Sequence, residues 1–212
     1  MHPVLIVLAN VQMKVSSQAF TLVDYLSISK FKDVSPGAQS ILAACIYHKC
    51  LSTIIASLKL AYLNGHVTSD PWGVLCVIHT PLAAWIADYP EQLLISCLAS
   101  KQSSFSTEGA NNFGNAQPHS IQTANSILTA IAQACSKTPN VWNLNTFAKT
   151  CKRHCLNGVL YPFWHGWGDA EPSSFLTPDA LHKWHKFFFD HVIQWAINLI
   201  GGDKLDFCLQ VL

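Results

Sequence analysis

An almost uninterrupted apolar run lies between Ser69 and Glu91 (SDPWGVLCVIHTPLAAWIADYPE) and is bounded by turn-forming residues. The turns are Asp70-Pro71-Trp72-Gly73 at its start and Asp88-Tyr89-Pro90-Glu91 at its end. An apolar run of this kind, with β-branched and aromatic members, predicts buried strand. Because proline cannot donate to a strand ladder, Pro81 predicts a division into two short strands.

Two further apolar runs, at the start of the chain, predict another pair of strands. His2–Val11 and Ala19–Ile28 are separated by the polar segment Gln12–Ser17, which predicts a turn and antiparallel pairing. An ordered strand needs neighbours on both sides. A chain that opens on a core strand therefore leads us to expect that a preceding strand is missing.

Helical spacing of apolar residues dominates the remainder. Pro36–Asn64 predicts one long helix, with its proline in the first turn and Gly65 as its stop. The polar segment Lys101–His119 predicts a long loop. Four further helices are predicted, over Pro90–Leu98, Ile121–Ser136, Val141–Leu156 and Asp179–Ile200, the last of them capped by Thr177. An aromatic loop is predicted over Tyr161–Trp167 and a final strand over Lys204–Leu212.

Composition narrows the classes of protein that fit this pattern. Half of the residues are hydrophobic and 12% are charged, against roughly 25% in ordinary soluble domains. Such a sparse polar surface predicts a piece of a larger protein or a chain buried in an assembly. The formal net charge of +1 argues against nucleic-acid binding through a broad basic face. No apolar run reaches the roughly 18 residues that a membrane span needs.

Eight cysteines are scattered without a Cys-x-x-Cys pair. This distribution favours reduced thiols in an intracellular protein over a disulfide framework. The apolar N-terminus lacks the basic region and the cleavage site of a secretory signal. We therefore expect a nuclear or cytoplasmic protein.

Asp88 is the first candidate for chemistry. It stands at the C-terminal end of a predicted strand, which is where open α/β sheets place their ligands, and Glu91 follows one turn later. The same spacing also fits a purely structural role, in which Asp88 caps the helix that follows. Both interpretations remain open at this point.

The predicted helix Asp179–Ile200 carries a second candidate. Asp179, His182 and His185 recur at three-residue spacing along one face, and such a row can hold a divalent metal or contact phosphate. The alternative is a helix-terminal aspartate followed by two partly exposed histidines, because two ligands make a weak metal pattern.

Cysteine and histidine pairs elsewhere favour structural roles. Cys151 and Cys155 are four apart, on one face of a predicted helix, but a zinc site needs about four ligands and no second pair is present. Buried free thiols are the favoured interpretation. In the first long helix, His48 and Cys50 point in different directions, which predicts a surface imidazole and a core thiol.

A series of short motifs runs in order along nearly the whole chain. They are His2–Ile6, Leu8–Asn10, Met13–Phe20, Ser69–Gly73, Thr80–Glu91, Leu156–Val159, Pro162–Trp164, Phe175–Lys186, Asp190-His191 and Gly201-Gly202. Together, though not singly, they resemble an internal section of the Plavaka-type transposases of fungal genomes, which are relatives of the CACTA group.

This resemblance implies an α/β fold with an incomplete ribonuclease-H-like core. The core, antiparallel strands plus helices, would occupy residues 1–98, and a mainly helical insertion of the same domain would occupy residues 99–212. In that fold three carboxylates hold two divalent metals, Mg²⁺ or Mn²⁺, for DNA strand cleavage and transfer. The resemblance implies Asp88, or alternatively Asp70, as the second catalytic carboxylate, with the first and third outside this chain.

The implied metal ligands are Asp88 and Glu91, with His182 and His185 matching a histidine-bearing element of the family. The implied partners are the DNA of transposon ends and either further copies or the rest of a larger transposase chain, without a membrane. Many relatives carry a Cys-x-x-Cys pair where this chain has Cys97 alone, which argues against a zinc knuckle.

The leading functional hypothesis is a fragment of a transposon-encoded DDE/D-type transposase that is catalytically incomplete by itself. The second is a domesticated module that keeps the fold and binds protein or DNA without catalysis. The third is an unrelated helical binding protein, which helices at the two N-terminal runs would favour.

Overall fold

A computed structural model describes residues 2–7, 21–26, 29–112, 115–179 and 181–211. The chain begins with β1 (His2–Ile6) and β2 (Thr21–Leu26), which pair antiparallel as predicted. The predicted extensions of both strands, and the turn between them, lie outside the described residues. The helical-binding-protein hypothesis gains no support here, because the described parts of both N-terminal runs are strands.

The predicted long helix is broken at Ile55 into α1 (Pro36–Ile54) and α2 (Ala56–Asn64), so the prediction of one continuous helix was wrong. The two axes differ in direction by 56°. The break follows the β-branched pair Thr53-Ile54, whose stiff side chains weaken a helix. Bending keeps Ile55 buried in the core while α2 turns away.

A hairpin follows α2. Its strands β3 (His66–Ser69) and β4 (Leu75–Ile78) are antiparallel and are joined by the turn that contains Asp70. All four residues of β4 are exposed, so the prediction of a buried strand was wrong here. The apolar residues of β4 are exposed because the hairpin has two strands only, and the core elements do not cover it.

The second half of the predicted strand stretch lies beyond Pro81, as expected. Strand β5 (Trp85–Ala87) pairs in parallel with β6 (Leu176–Pro178). Thr177 therefore lies in a strand, and its prediction as a helix cap was wrong. The physical reason is that β5, distant in sequence, offers hydrogen-bonding partners to an extended backbone at this position.

The central helices match their predictions closely. They are α3 (Tyr89–Ile95), α4 (Ala124–Ser136) and α5 (Leu144–Arg153). Thr123 and Ser126 form a capping box at the start of α4. The segment between α3 and α4 is a loop as predicted, with one 3₁₀ turn over Ala110–Asn112 and with residues 113 and 114 outside the described ranges.

The C-terminal part is helical. A short helix α6 (Pro172–Phe175) precedes β6, and two π-helical segments, Leu181–Lys186 and Phe188–Ile193, run into α7 (Gln194–Ile200). Gly201 ends this helix in the left-handed region, with φ at +88°.

The predicted final strand was wrong, because α8 (Gly202–Val211) occupies its place. Leu205 and Cys208 recur at helical rather than alternating spacing. Asp203 in the first turn further favours the helix, since a carboxylate there interacts well with the positive end of the helix dipole.

The core lies between α1, α3, α4, α5 and the aromatic segment around Trp164. Its largest fully buried side chains include Phe147, Phe163, Trp164 and Phe175. The indole Nε1 of Trp164 donates to the carbonyl of Ile95 at 2.7 Å, which fixes the aromatic segment against α3.

The α/β class is confirmed, and within the described ranges the strands form three two-stranded sheets. The ribonuclease-H-like core and the division at residue 98 stay predictions. In the same ranges no single helix meets the length and hydropathy expected of a membrane span, and α1 and α2 meet them only together, as a bent pair.

Candidate active site at the end of strand β5

Asp88 directly follows β5 and lies at the C-terminal end of the parallel strand pair, as the sequence predicts. Its Oδ1 accepts a hydrogen bond from the backbone N–H of Glu91 at 2.9 Å, and its carbonyl accepts from the N–H of Gln92 at 2.8 Å. Asp88 is therefore the N-cap of α3, so the structural interpretation is confirmed. The side chain is half-buried, and this cap bond occupies Oδ1 alone.

The strand register brings a second aspartate to the same place. Ala87 pairs with Pro178, and the backbone N–H of Asp179 donates to the carbonyl of Ala87 at 3.1 Å. Asp88 and Asp179 are the next residues after this pair in the two strands. Extending the parallel register by one residue therefore puts them next to each other at the carboxyl end of the two strands. The prediction that Asp179 lies on a helix with the two histidines was wrong, because Asp179 directly follows β6 and precedes the first π-helical segment. Only the pairing of strands that are remote in sequence reveals this neighbour.

Glu91 is held by a partly buried phenol. The hydroxyl of Tyr47 donates to Oε1 of Glu91 at 2.7 Å. Burial raises the pKa of Tyr47 well above its usual value, and the carboxylates of Glu91 and Asp88 raise it further. Tyr47 therefore stays protonated and serves as a fixed donor, and both carboxylates lie close enough to act on it.

The imidazole of His48 lies beside Tyr47 and contacts two other segments of the chain. Its ring packs edge-on against Tyr47, with 5.9 Å between ring centroids. Nε2 lies 2.9 Å from the carbonyl of Leu94, and Nδ1 accepts from the backbone N–H of Phe163 at 3.1 Å. Since a carbonyl can only accept, Nε2 carries the proton. Burial lowers the pKa of His48 to about 4, so the ring is neutral at physiological pH.

The prediction that His48 lies on the surface was wrong, because the side chain is fully buried. A sequence signal for its burial was present. Ile41, Ala44 and Leu51 on α1 and Ile55 directly after it are buried at alternating three- and four-residue spacing, and position 48 belongs to that series. The spacing of position 48 within this apolar series, and not the polarity of histidine, predicts the burial of the side chain.

The side chains of Gln92 and Tyr89 hold the end of β5 against the loop that follows α3. The buried side chain of Gln92 donates from Nε2 to the carbonyl of Ala87 at 3.0 Å and accepts from Ser104 at 3.3 Å. The hydroxyl of Tyr89 donates to the carbonyl of Gln102 at 2.8 Å. The end of β5 is thus rigidly positioned relative to this loop.

Asp70 is placed differently. It lies in the turn of the β3–β4 hairpin, where its Oδ1 accepts from the backbone N–H groups of Trp72 and Val74, both at 2.9 Å. These bonds are typical of an aspartate that shapes a turn. The structure shows no contact between Asp70 and Asp88, and a catalytic role for either stays a prediction.

His182 and His185 lie in the first π-helical segment, and the side chain of His185 is exposed. The backbone of this segment bonds each residue to the fifth along instead of the fourth, so it is not the α-helix that was predicted. Cys151 is buried in the core and Cys155 lies beyond the end of α5, so these thiols do not share a helical face, contrary to the prediction.

Across the described ranges, no group of three or more His, Cys, Asp or Glu side chains is arranged to hold a metal ion. Asp88, Glu91 and Asp179 carry carboxylate oxygens, the ligand type that Mg²⁺ prefers, but they are not arranged as a metal site, and a metal role for Asp88, Glu91, His182 and His185 stays a prediction. All eight cysteines are free thiols.

Comparison with known proteins identifies one family. The family model for Plavaka transposase matches residues 1–196 of the 212-residue chain. No curated protein and no solved structure gives a significant match.

Proposed function

Because the chain belongs to the Plavaka transposase family, we propose that it is part of a transposon-encoded DNA strand transferase whose reaction centre includes Asp88. The family implies binding of DNA and use of a divalent metal, Mg²⁺ or Mn²⁺. The observation that carries the assignment of the centre is the placement of Asp88 beside Asp179 at the carboxyl end of a parallel strand pair.

The residues around Asp88 suit a preorganised carboxylate site. The N–H of Glu91 holds Oδ1 of Asp88, and the hydroxyl of Tyr47 holds one oxygen of Glu91. The amide of Gln92 fixes the end of the strand itself. These contacts would keep carboxylate oxygens in one arrangement without reorganisation, which is what an electrostatic reaction centre requires.

The described residues do not fit a complete two-metal site. Two divalent ions in such a centre need several carboxylates, and these residues form no ligand group of three. We propose that carboxylates from outside this chain complete the site, and that the chain by itself does not cleave DNA.

The role of Asp88 can be tested without an activity assay. Titration of the ¹⁵N-labelled chain with Mn²⁺ should broaden the amide resonances of Glu91 and Ala87 before those of other residues. Asp88→Asn should abolish this local broadening, because asparagine keeps the cap bond and removes the negative charge. Asp70→Asn is the matched control and should leave it unchanged. Broadening that depends on Asp70 and not on Asp88 would transfer the assignment to the hairpin.

The second experiment measures cleavage. Supercoiled plasmid incubated with the purified chain and Mg²⁺ or Mn²⁺ should remain intact, since the carboxylate set is incomplete. Metal-dependent nicking that Asp88→Asn abolishes would disprove the incompleteness while supporting the centre. Nicking that survives the substitution would remove Asp88 from the reaction.

A further inference from the structure

The net charge of +1 conceals an uneven distribution along the chain. The segment from Gln92 to Gly168 contains five lysine and arginine residues and one carboxylate, Glu108. That carboxylate already has a partner, because it lies 3.4 Å from Nδ1 of His119. The middle of the chain is therefore strongly basic although the whole is nearly neutral.

The fold gathers these cations on one surface, here called the α5 basic surface. Its members are Lys101, Lys137, Lys149, Lys152 and Arg153, all of them exposed. Three lie on α5 itself, and Nζ of Lys137 lies 3.3 Å from Nε2 of His154, directly after α5.

Lys101 reaches the same surface through strand-like contacts between two loops. Leu98 pairs with Leu156, and the backbone N–H of Ala99 donates to the carbonyl of Cys155 at 2.8 Å. The turn that carries Lys101 therefore runs beside the C-terminal end of α5.

Among the described residues, none of the five cations has a carboxylate within ion-pair distance. Lys152 and Arg153 lie in the last turn of α5, where the helix dipole favours positive charge. Lys137 is the C-cap residue of α4 and has the same advantage, whereas Lys101 lies in a turn away from any helix end. Like charges gathered without counter-charges repel one another, so the surface is suited to an external anion.

Two clefts with mixed polar and apolar linings open beside Cys155, next to this surface. The larger has a volume of about 400 Å³ and is lined by Ser100, Lys152 and Asn157, among others. The smaller has a volume of about 170 Å³ and is lined by Ser103 and His154, among others. Hydroxyl, amide and ammonium groups are the donors that contact phosphate oxygens in protein–DNA interfaces.

We propose that the α5 basic surface binds the phosphodiester backbone of DNA and directs a strand towards Asp88. The distance from Asp88 to this surface is short. Helix α3, with seven residues and a length of about 10 Å, connects Asp88 to the loop beside α5. Tyr89, next to Asp88, is itself bonded to Gln102 in that loop. The identity of the polyanion rests on the proposed function, whereas the position of the surface rests on charge and geometry.

The test is fluorescence anisotropy of a labelled DNA duplex at salt concentrations between about 50 and 200 mM. The variant carries Lys149→Gln, Lys152→Gln and Arg153→Gln, and the matched control carries Lys30→Gln, Lys32→Gln and Lys204→Gln. Both lose three exposed positive charges. We expect the variant to bind on the order of tenfold more weakly, with a shallower salt dependence by about 0.9 per lost phosphate contact, and the control to bind as the parent does.

Circular dichroism and thermal melting verify that each variant is folded. Equal loss of affinity in both variants would mean that only the net charge of the chain matters and would overturn the proposal. Absence of DNA binding by the parent chain would also overturn it. Loss of binding restricted to the α5 variant would support it even if Asp88 proved to have no metal role, so the two proposals can fail separately. Preference for anionic lipid vesicles over DNA would also overturn it.

Discussion

Acidification should destabilise the protein through His48 more than through its other histidines. The neutral ring is locked between two partners, because Nε2–H donates to Leu94 and Nδ1 accepts from the N–H of Phe163. A second proton would have to enter at Nδ1, where a donor already points. Protonation therefore requires the bond to Phe163 to break inside the core.

The size of the effect follows from the pKa of His48. Burial lowers it from 6.5 to about 4 in the folded chain, whereas the unfolded chain keeps the ordinary value. The unfolded state thus binds the proton more tightly, so stability is complete above about pH 6.5 and falls as the pH drops towards 4. A difference of about 2.5 units corresponds to about 3 kcal/mol of unfolding free energy, with a slope of about 1.4 kcal/mol per pH unit within this range.

Urea unfolding at a series of pH values between about 7.5 and 4 measures this dependence. His48→Gln removes the titration and keeps a donor and an acceptor, and His66→Gln is the control for loss of an exposed histidine. The parent and the control should lose stability more steeply on acidification than His48→Gln does. A parallel pH dependence in all three proteins, or a His48 NMR titration near pH 6.5, would refute the reasoning.

Three further predictions concern other parts of the fold. Asp88→Ala should lower the unfolding free energy by about 1 kcal/mol through loss of the α3 cap, whereas Asp88→Asn should leave it near the parent value in the same urea titration. Gly158→Ala should cost about 1–3 kcal/mol, because φ is +98° and a Cβ would lie 2.8 Å from Cγ1 of Ile41, and calorimetry should show the lower melting temperature. Burial raises the pKa of Cys151 to about 12, so an aromatic disulfide reagent should modify exposed Cys155 in the native protein and Cys151 only after unfolding; fast modification of Cys151 would contradict its placement.

The sequence alone determined the features that depend on neighbours a few residues away. The antiparallel pair β1–β2, the loop between α3 and α4, and the stop at Gly201 follow from apolar spacing and turn residues. The caps of α4 and α5 likewise depend on side chains that contact backbone groups within one turn. The cap at Asp88 belongs to this class, and the sequence identified it as one of two alternatives.

The tertiary structure alone decided what depends on distant partners. It made Leu176–Pro178 a strand by supplying β5, and so placed Asp179 next to Asp88. It buried His48 by offering a carbonyl and an N–H from remote segments. It also collected scattered lysines around α5, which a total charge cannot reveal. Local patterns specify which conformation a segment prefers, but pairing, burial and charge clustering arise only when segments that are remote in sequence meet.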